Sequence, residues 1–351
     1  MNDFIYNGQA TGSVASMLLA TDFNVNSLRP YVGKDGRSYI TVLNAEGKLV
    51  AQPLSNATAT LRKDDWKILD TAIVKAAKPR LRAVADLRGA GLDFVIPNGM
   101  GKTVLETETQ SDISDAEITM DGLEETAGDR PQFGLENLPL PIIHKNFSYS
   151  ARQIAASRSG GSPLDTTTAE LAARSVAEEA EKLLIGTSST FAFGGGTLYG
   201  YLNYPNSIAA TITSPVAGGW LAATTVSDVL GMVQDSIDSY HYGPWRLYYG
   251  PSWSQYMNDE YKAQSDDTIR QRLARIDNIQ SVSMLDYLTG YNLVLVQMTS
   301  DVVREVVGME MTTVQWSSMG GLKENFKVMA IMCPQLRKDY NDKTGIVVGS
   351  V

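Results

Sequence analysis

The chain has 351 residues, 43% of them hydrophobic, which on length suits roughly two globular domains with sizeable cores. A net charge of −9 and a pI near 4.9 exclude a sequence-independent nucleic-acid binder, which needs a basic footprint. The single cysteine, Cys333, excludes an intramolecular disulfide and any multi-cysteine zinc site.

The opening MNDFIYNGQATGS lacks the charged start and apolar core of a signal peptide, and no run approaches the ~18 apolar residues of a membrane helix. The expectation is a soluble protein of a reducing compartment. Residues 1 to about 60 are rich in Asn, Gly, Ser and Thr. Short strands are expected around Gly36 and Gly47, in an arm that orders against something else. A helix comes next, with Asp64 and Asp65 at its positive end and Trp66, Leu69, Ile73, Ala76 and Ala77 on one face. Pro79 ends or kinks it, and RLRAVADLRGAG continues to the stop signals Gly89 and Gly91.

From residue 92 to 150 the pattern changes. LDFVI, KTVLETET and PLPIIHKNFSYS read as strands, and the eight acidic residues from Glu106 to Glu125 have no basic residue among them. Such a segment buries little by itself, so a long projecting hairpin is expected. SPLDTTTAELAARSVAEEAEKLLIG then carries the best helical pattern in the chain. Thr167-x-x-Glu170 matches a capping box, Ala172, Val176, Ala180, Leu183 and Leu184 form the apolar face, and Gly186 closes it. About twenty residues span ~30 Å, so this helix is expected to be a spine for other elements. Beyond FGGGTLYGYLNYPN, a second unit alternates helical and strand patterns, with NLVLVQM as a buried strand. TTVQWSS, NFKVMAIMC and TGIVVGS are strand-like and are expected in a sheet against the spine helix.

Motifs for chemistry are sparse. PNGMGKT has the second half of a phosphate loop, but position 96, where the first glycine belongs, is Ile96. The next residues, VLETETQSD, have no helical period to supply a dipole, so Pro97, Asn98 and Gly99 read as turn residues. GGG at 194–196 lacks the strand-to-helix setting of a dinucleotide fingerprint and reads as a loop. His144 in PIIHKNF could orient a serine, yet no G-x-S-x-G elbow is present, and SYHYGPW gives His241 no metal-ligand partner at short spacing. Asp112, Asp115, Glu117 and Asp121 lack the calcium-loop pattern, while a glycosidase-like carboxylate pair stays open. Cys333, within VMAIMCP, reads as a buried thiol. No catalytic, cofactor-binding or metal-binding residue is assigned. A chain with an arm, an acidic hairpin and two packed units has surfaces that want neighbours.

Four stretches in order carry a resemblance: LRKDDWKILDTAIVKAAKPRLRAVADLRGAGL, GMGKTVLETETQSDISDAEITMDG, LPLPIIHKNFSYSARQIAASRSGGSPLDTTTAELAARSVAEEAEKLLIG and GYLNYPN. The chain resembles the tailed-phage major capsid proteins, in particular the branch shared with encapsulin (linocin-like) shells, over nearly all of residues 60–351. The resemblance implies an α+β phage major capsid (Johnson) fold. Carried over, residues 1–62 would be the N-terminal arm and 92–150 the extended β-hairpin loop. The peripheral domain, with its long spine helix near 164–186, would comprise 63–91, 151–215 and 306–351, and the axial domain 216–305.

The implied role is a non-enzymatic major capsid protein, assembling with itself as hexamers and pentamers of an icosahedral head around double-stranded DNA, with no cofactor and no membrane. Separate scaffolding and portal proteins are implied partners, with a decoration protein as a further possibility, and an acidic wall would contact packaged DNA only weakly. The location would be the virion, assembled in the host cytoplasm. An acidic loop crossing a neighbour would suit basic groups there, so Asp112, Asp115 and Glu117 are expected to pair with groups such as Arg152 and Arg158, and Lys102 to meet acidic groups. The second reading is an encapsulin-type compartment enclosing cargo enzymes. Relatives of that pattern begin close to the first helix, whereas some 60 residues precede Trp66 here, which favours the phage head. A hydrolase using His144 or the acidic cluster is the reading from another class.

Overall fold

The computed structural model describes residues 29–43, 49–53, 61–77, 81–111, 130–159, 166–216, 218, 220–262 and 267–351, with 5–6, 9–10, 118 and 120. The chain begins with a two-stranded pair, β1 (Ile5–Tyr6) and β2 (Gln9–Ala10). Strands β3 (Tyr31–Val32), β4 (Ser38–Leu43) and β5 (Leu49–Pro53) form a small antiparallel sheet. Its support comes from helix α1 (Lys63–Ala77): Arg29 pairs with Asp70 at 2.7 Å and lies over the Trp66 ring at 4.5 Å. The Trp66 indole N–H donates to the Pro30 carbonyl at 3.1 Å, and Ile40 is fully buried. Gly36 takes its turn, while residues 44–48, with Gly47, lie outside the described residues.

In α1 the buried residues Trp66, Leu69, Ala72, Ile73 and Ala77 recur at helical spacing on one stripe. Residues 78–80, with Pro79, are not described, and α2 (Arg82–Gly89) follows as a separate helix burying Ala83, Val84 and Leu87. Next come β6 (Asp93–Val95), β7 (Val104–Gln110), β8 (Phe133–Pro139) and β9 (Ile143–Ser150). Helices α3 (Ala151–Ser159) and α4 (Thr167–Ile185) lead to the small hairpin β10 (Phe191–Phe193) and β11 (Gly196–Leu198). β12 (Ile208–Thr211), α5 (Ala222–Asp238), β13 (Trp245–Tyr249), α6 (Ser254–Met257), α7 (Ile269–Leu273), β14 (Ile279–Met284) and β15 (Leu293–Gln297) form the second unit. The chain closes with β16 (Val303–Ser318), β17 (Lys323–Leu336) and β18 (Ile346–Ser350).

The long helix α4 has 19 residues and closes at Gly186, whose φ of 89° needs no Cβ. The capping box expected at Thr167 is not formed. Thr166 is the N-cap, and its backbone is already near-helical (φ −91°, ψ −4°), so its hydroxyl turns along the helix and donates to the Glu170 carboxylate at 2.9 Å. A capping box forms instead at Thr268 and Gln271, ahead of α7.

Two sheets organise the body. The four-stranded sheet runs β6-β16-β17-β9, with β16 and β17 as one long antiparallel ribbon. Alternate residues of β17 (Phe326, Val328, Ala330, Met332) face α1 and α4, where Phe147 and Phe326 stack at 5.1 Å. The five-stranded mixed sheet runs β12-β18-β15-β13-β14. Its central β15 is buried at every residue, because Leu293 and Leu295 pack with α5 while Val294 and Val296 pack toward α2 and α4. Burial on both faces explains the unbroken apolar run LVLV. The segment TGIVVGS departs from its expected place. As β18 it pairs with β12 and β15 in the five-stranded sheet instead of lying in the sheet against the long helix.

Candidate inter-subunit surface

PNGMGKT forms a single turn of 3-10 helix. Asn98 adopts φ 58°, and its side-chain oxygen accepts from the Gly101 amide at 3.2 Å. Any Cβ at Gly99 would lie 2.2 Å from the Gly308 carbonyl oxygen, so glycine lets this turn press onto β16. β6 pairs in parallel with β16 and not with β7, which makes the turn a crossing between two sheets rather than a hairpin bend. The turn leads into the strand β7, so no helix stands where a phosphate loop needs one. Lys102 leaves the turn exposed and extended.

β7 and β8 pair in register from Val104↔Pro139 to Gln110↔Phe133. Directly opposed residues share a face, so the hairpin has two distinct sides. On the inner side Leu105 and Leu138 join Ile96, Leu140, Ile331 and Cys333 in a cluster that roots it on the four-stranded sheet. Gln335 donates to the Thr107 hydroxyl at 3.1 Å, and Lys338 stands 3.5 Å from Glu136. The outer side carries Glu106, Glu108, Leu135 and Phe133, all exposed, with Leu135 at 69% and Phe133 at 67%. The turn of the β10–β11 hairpin leans on the root of this side, where the Asn137 side chain donates to the Gly194 carbonyl at 2.9 Å, and Phe193 beside it is half exposed.

Asp112, Asp115 and Glu117 fall outside the described residues. Arg152 is exposed in the first turn of α3, and the side chain of Arg158 lies outside the described part. Lys102 sits at the hairpin root and Arg152 beyond the far end of β9, so the fold does not bring these two together within one chain. His144 is exposed on β9 opposite Met329. His241 is buried 4.0 Å from Asp339, and burial holds its pKa below the usual value against the pull of Asp339 and Asp301. Burial also pushes the Cys333 thiol up.

Sequence reasoning missed three buried carboxylates, of which Glu324 on β17 accepts from the Gln315 amide at 2.8 Å and the Ser317 hydroxyl at 2.7 Å. Glu181 is 2% exposed, and its oxygens accept from the Ala83 and Val84 amides (2.6 and 3.4 Å) at the N-terminus of α2. Burial pushes its pKa up to about 7, opposed by those amides. Glu305 on β16 is pushed up to about 8 by burial, opposed by Arg88, and one of its oxygens has no hydrogen-bond partner. The signal for Glu181 was its position, four residues after Ala177 and three before Leu184, on the stripe that turns inward. Glu305 carried no comparable signal in a run of valines.

Comparison with known proteins places the fold. The pattern of a family described as "Family of unknown function (DUF6260)" matches residues 56–349. A curated relative, the type 1 encapsulin shell protein EncA of Myxococcus xanthus, is 26% identical over 204 residues, 56% of this chain. The match spans 64% of that relative's length. Among solved structures, the virus-like particle from Pyrococcus furiosus aligns with a TM-score of 0.58 at 14% identity, covering 81% of this chain and 99% of that one. The capsid of Myoviridae phage XM1 aligns at 0.55 and 11% identity, covering 72% and 88%. The capsid of a native GTA particle aligns at 0.52 and 14%, covering 77% and 90%. The architecture is therefore the α+β fold of phage major capsid proteins and encapsulin-type shells.

Proposed function

This chain belongs to the family of unknown function DUF6260, and from its capsid-shell fold we propose that it is the repeating subunit of a closed protein shell, the head of a tailed phage enclosing double-stranded DNA. The observation that carries the reading is the agreement of nearly the whole chain with shell subunits, to a TM-score of 0.58 over 81% of its length. The hairpin supports it, since Phe133 and Leu135 are apolar side chains that nothing among the described residues covers. The role is structural and not enzymatic. Subunits meet through many separately weak contacts, so that misplaced copies leave and the finished shell is held by their sum.

The proposed bounds are 1–62 for the arm, 92–150 for the extended loop, 63–91 with 151–215 and 306–351 for the peripheral segment and 216–305 for the axial one, with β12 and β18 lending strands to the axial sheet and β6 and β9 to the peripheral sheet. In this assembly Asp112, Asp115 and Glu117 meet basic groups of a neighbour, Arg152 and Arg158 among them, and Lys102 meets acidic ones. Scaffolding, portal and decoration proteins are separate chains, the packaged DNA touches an acidic wall only weakly, and the shell forms in the host cytoplasm. A second reading, a compartment that encloses cargo enzymes, is favoured by the identity to an encapsulin shell protein.

Size-exclusion chromatography followed by electron microscopy of the purified chain tests the proposal. Uniform closed particles, or capsomer rings, tubes and sheets, are expected. A stable 38.2 kDa monomer at high concentration overturns it. Particles recovered from the native source that hold nucleic acid support the head, and particles holding folded enzymes support the compartment.

A further inference from the structure

Arg29, Arg82, Arg88, Arg174, Arg246 and Arg275 each hold a carboxylate oxygen within 3.4 Å. Arg304 on β16 and Arg337, just past β17, hold none among the described residues, although the chain has 39 acidic residues to 30 lysines and arginines. The two lie close together at one end of the long ribbon. Arg304 pairs in register with Gln335, and the Arg337 amide donates to the Val302 carbonyl at 2.9 Å. Both side chains are half-buried. Burial, and after it the charge of Arg337, hold the Arg304 pKa below its usual value. Two neighbouring like charges without a counter-charge repel.

The Arg304 guanidinium is held in place by neutral partners. Its Nε donates to the Gln335 side-chain oxygen, and the Gln335 amide nitrogen donates in turn to the Thr107 hydroxyl at 3.1 Å. Gln335 is 4% exposed and so is fixed from both ends. The guanidinium carbon lies 4.2 Å from the centroid of the Phe94 ring, which is itself partly exposed. The two Nη groups of Arg304 donate to no described residue, and Arg337 spends one Nη on the Ser300 carbonyl at 3.5 Å. The carboxylates near them in the chain are engaged elsewhere. Asp339 accepts from the Asn341 and Lys343 amides, Asp342 takes the Lys338 ammonium at 2.7 Å, and Glu305 points to the opposite face of β16. Asp301 is exposed and makes no ion pair among the described residues.

We propose that Arg304 and Arg337 together bind a phosphate-type oxyanion beside the exposed part of Phe94. A planar guanidinium presents paired N–H donors that match phosphate oxygens, and a dianion answers two charges that no described carboxylate answers. The site is independent of the shell reading. Inorganic phosphate and the phosphodiester of a nucleic acid share this chemistry. The chain's charge of −9 opposes a long polyanion, so the small dianion is the expected ligand.

The test is calorimetric titration of the full chain with inorganic phosphate and, separately, with a short DNA duplex, each against chloride at matched ionic strength. A dissociation constant on the order of 1 mM is expected for phosphate, weakened at least about tenfold in R304Q/R337Q. At about 10 mM phosphate the wild-type melting temperature rises by roughly 2 °C and that of the variant does not. Without phosphate R304Q/R337Q is expected to melt no lower than the wild type, because the repulsion between the two charges is gone. R304K/R337K keeps both charges but loses the planar fork; it is expected to bind more weakly than the wild type and carries the comparison if the glutamine pair is unstable. Phosphate bound and duplex refused assigns a small ligand, and duplex bound by the wild type but not by R304Q/R337Q assigns the phosphodiester. No binding of either, or binding by the variants equal to that of the wild type, overturns the site whether or not the chain forms shells.

Discussion

The five-stranded sheet and the β7–β8 hairpin are built from strands of similar length, yet among the described residues one is covered on both faces and the other is not. In the sheet, β15 buries all five residues and α5 closes one side with Val226, Val229 and Met232. In the hairpin, among the described residues, Leu105 and Leu138 near the root are the side chains that join an apolar cluster, and burial falls away toward Phe133. Apolar side chains cost free energy in water wherever they lie, about 25 cal/mol per Å², so the difference locates the contacts still to be made. The fold holds its own stability in the sheets, and on the proposed shell reading the hairpin is the part that a second copy would cover.

Mutation separates the two regions most sharply in the core. Phe326→Ala removes the ring that Trp66, Phe147 and Tyr149 pack against, and a loss of about 3–5 kcal/mol is expected in chemical denaturation. A loss below about 1 kcal/mol would mean that the four-stranded sheet is not held by this cluster.

Two of the buried carboxylates come next. For both Glu181 and Glu305 the folded pKa is raised above the ordinary 4.5, so the folded state holds the proton more tightly than the unfolded chain. Their contribution is full below about pH 4.5 and is lost as pH rises through about 7 and about 8 respectively. Each pK unit corresponds to about 1.4 kcal/mol. Stability is therefore expected to fall between pH 5 and 8, and Glu305→Gln to flatten the curve of melting temperature against pH, whereas a flat wild-type curve would contradict both assignments.

Gly99→Ala would force a Cβ against the Gly308 carbonyl, and about 1–3 kcal/mol is expected to be lost, with hydrogen exchange accelerating first at the hairpin root. The smallest expected effect on folding is the most informative about function. Phe133→Ser with Leu135→Ser changes monomer stability by less than about 0.5 kcal/mol, because both side chains are already in water, but reduces the assembled fraction seen in chromatography. If it unfolded the chain instead, the hairpin would belong to the core and the comparison would fail.

Much of the fold was legible because local patterns coincide with tertiary roles. The stripe of α1, the small-residue face of α4, the cap at Gly186 and the unbroken LVLV of β15 each state their burial directly. The N-cap of α4 lies one residue before the expected Thr167 and forms no capping box, since Thr166, Thr167 and Thr168 present the same hydroxyl and only backbone angles choose among them. The candidate surface was legible as an acidic hairpin, but its two-sidedness was not, because register decides which residues share a face. The candidate pairs Asp112, Asp115 and Glu117 with Arg158 rest on segments or side chains outside the described residues and stand as proposals.

By itself the sequence determined where the long helix α4 stops, which strands are apolar on both faces, and where charge accumulates, because those depend on periodicity and composition along a few residues. Tertiary structure alone decided that β18 completes the five-stranded sheet, that β6 pairs with β16 and not with its neighbour β7, and that Glu181 reaches across 98 residues to cap α2. Those are long-range pairings, and no local pattern carries the address of a partner that the chain meets only after it has folded.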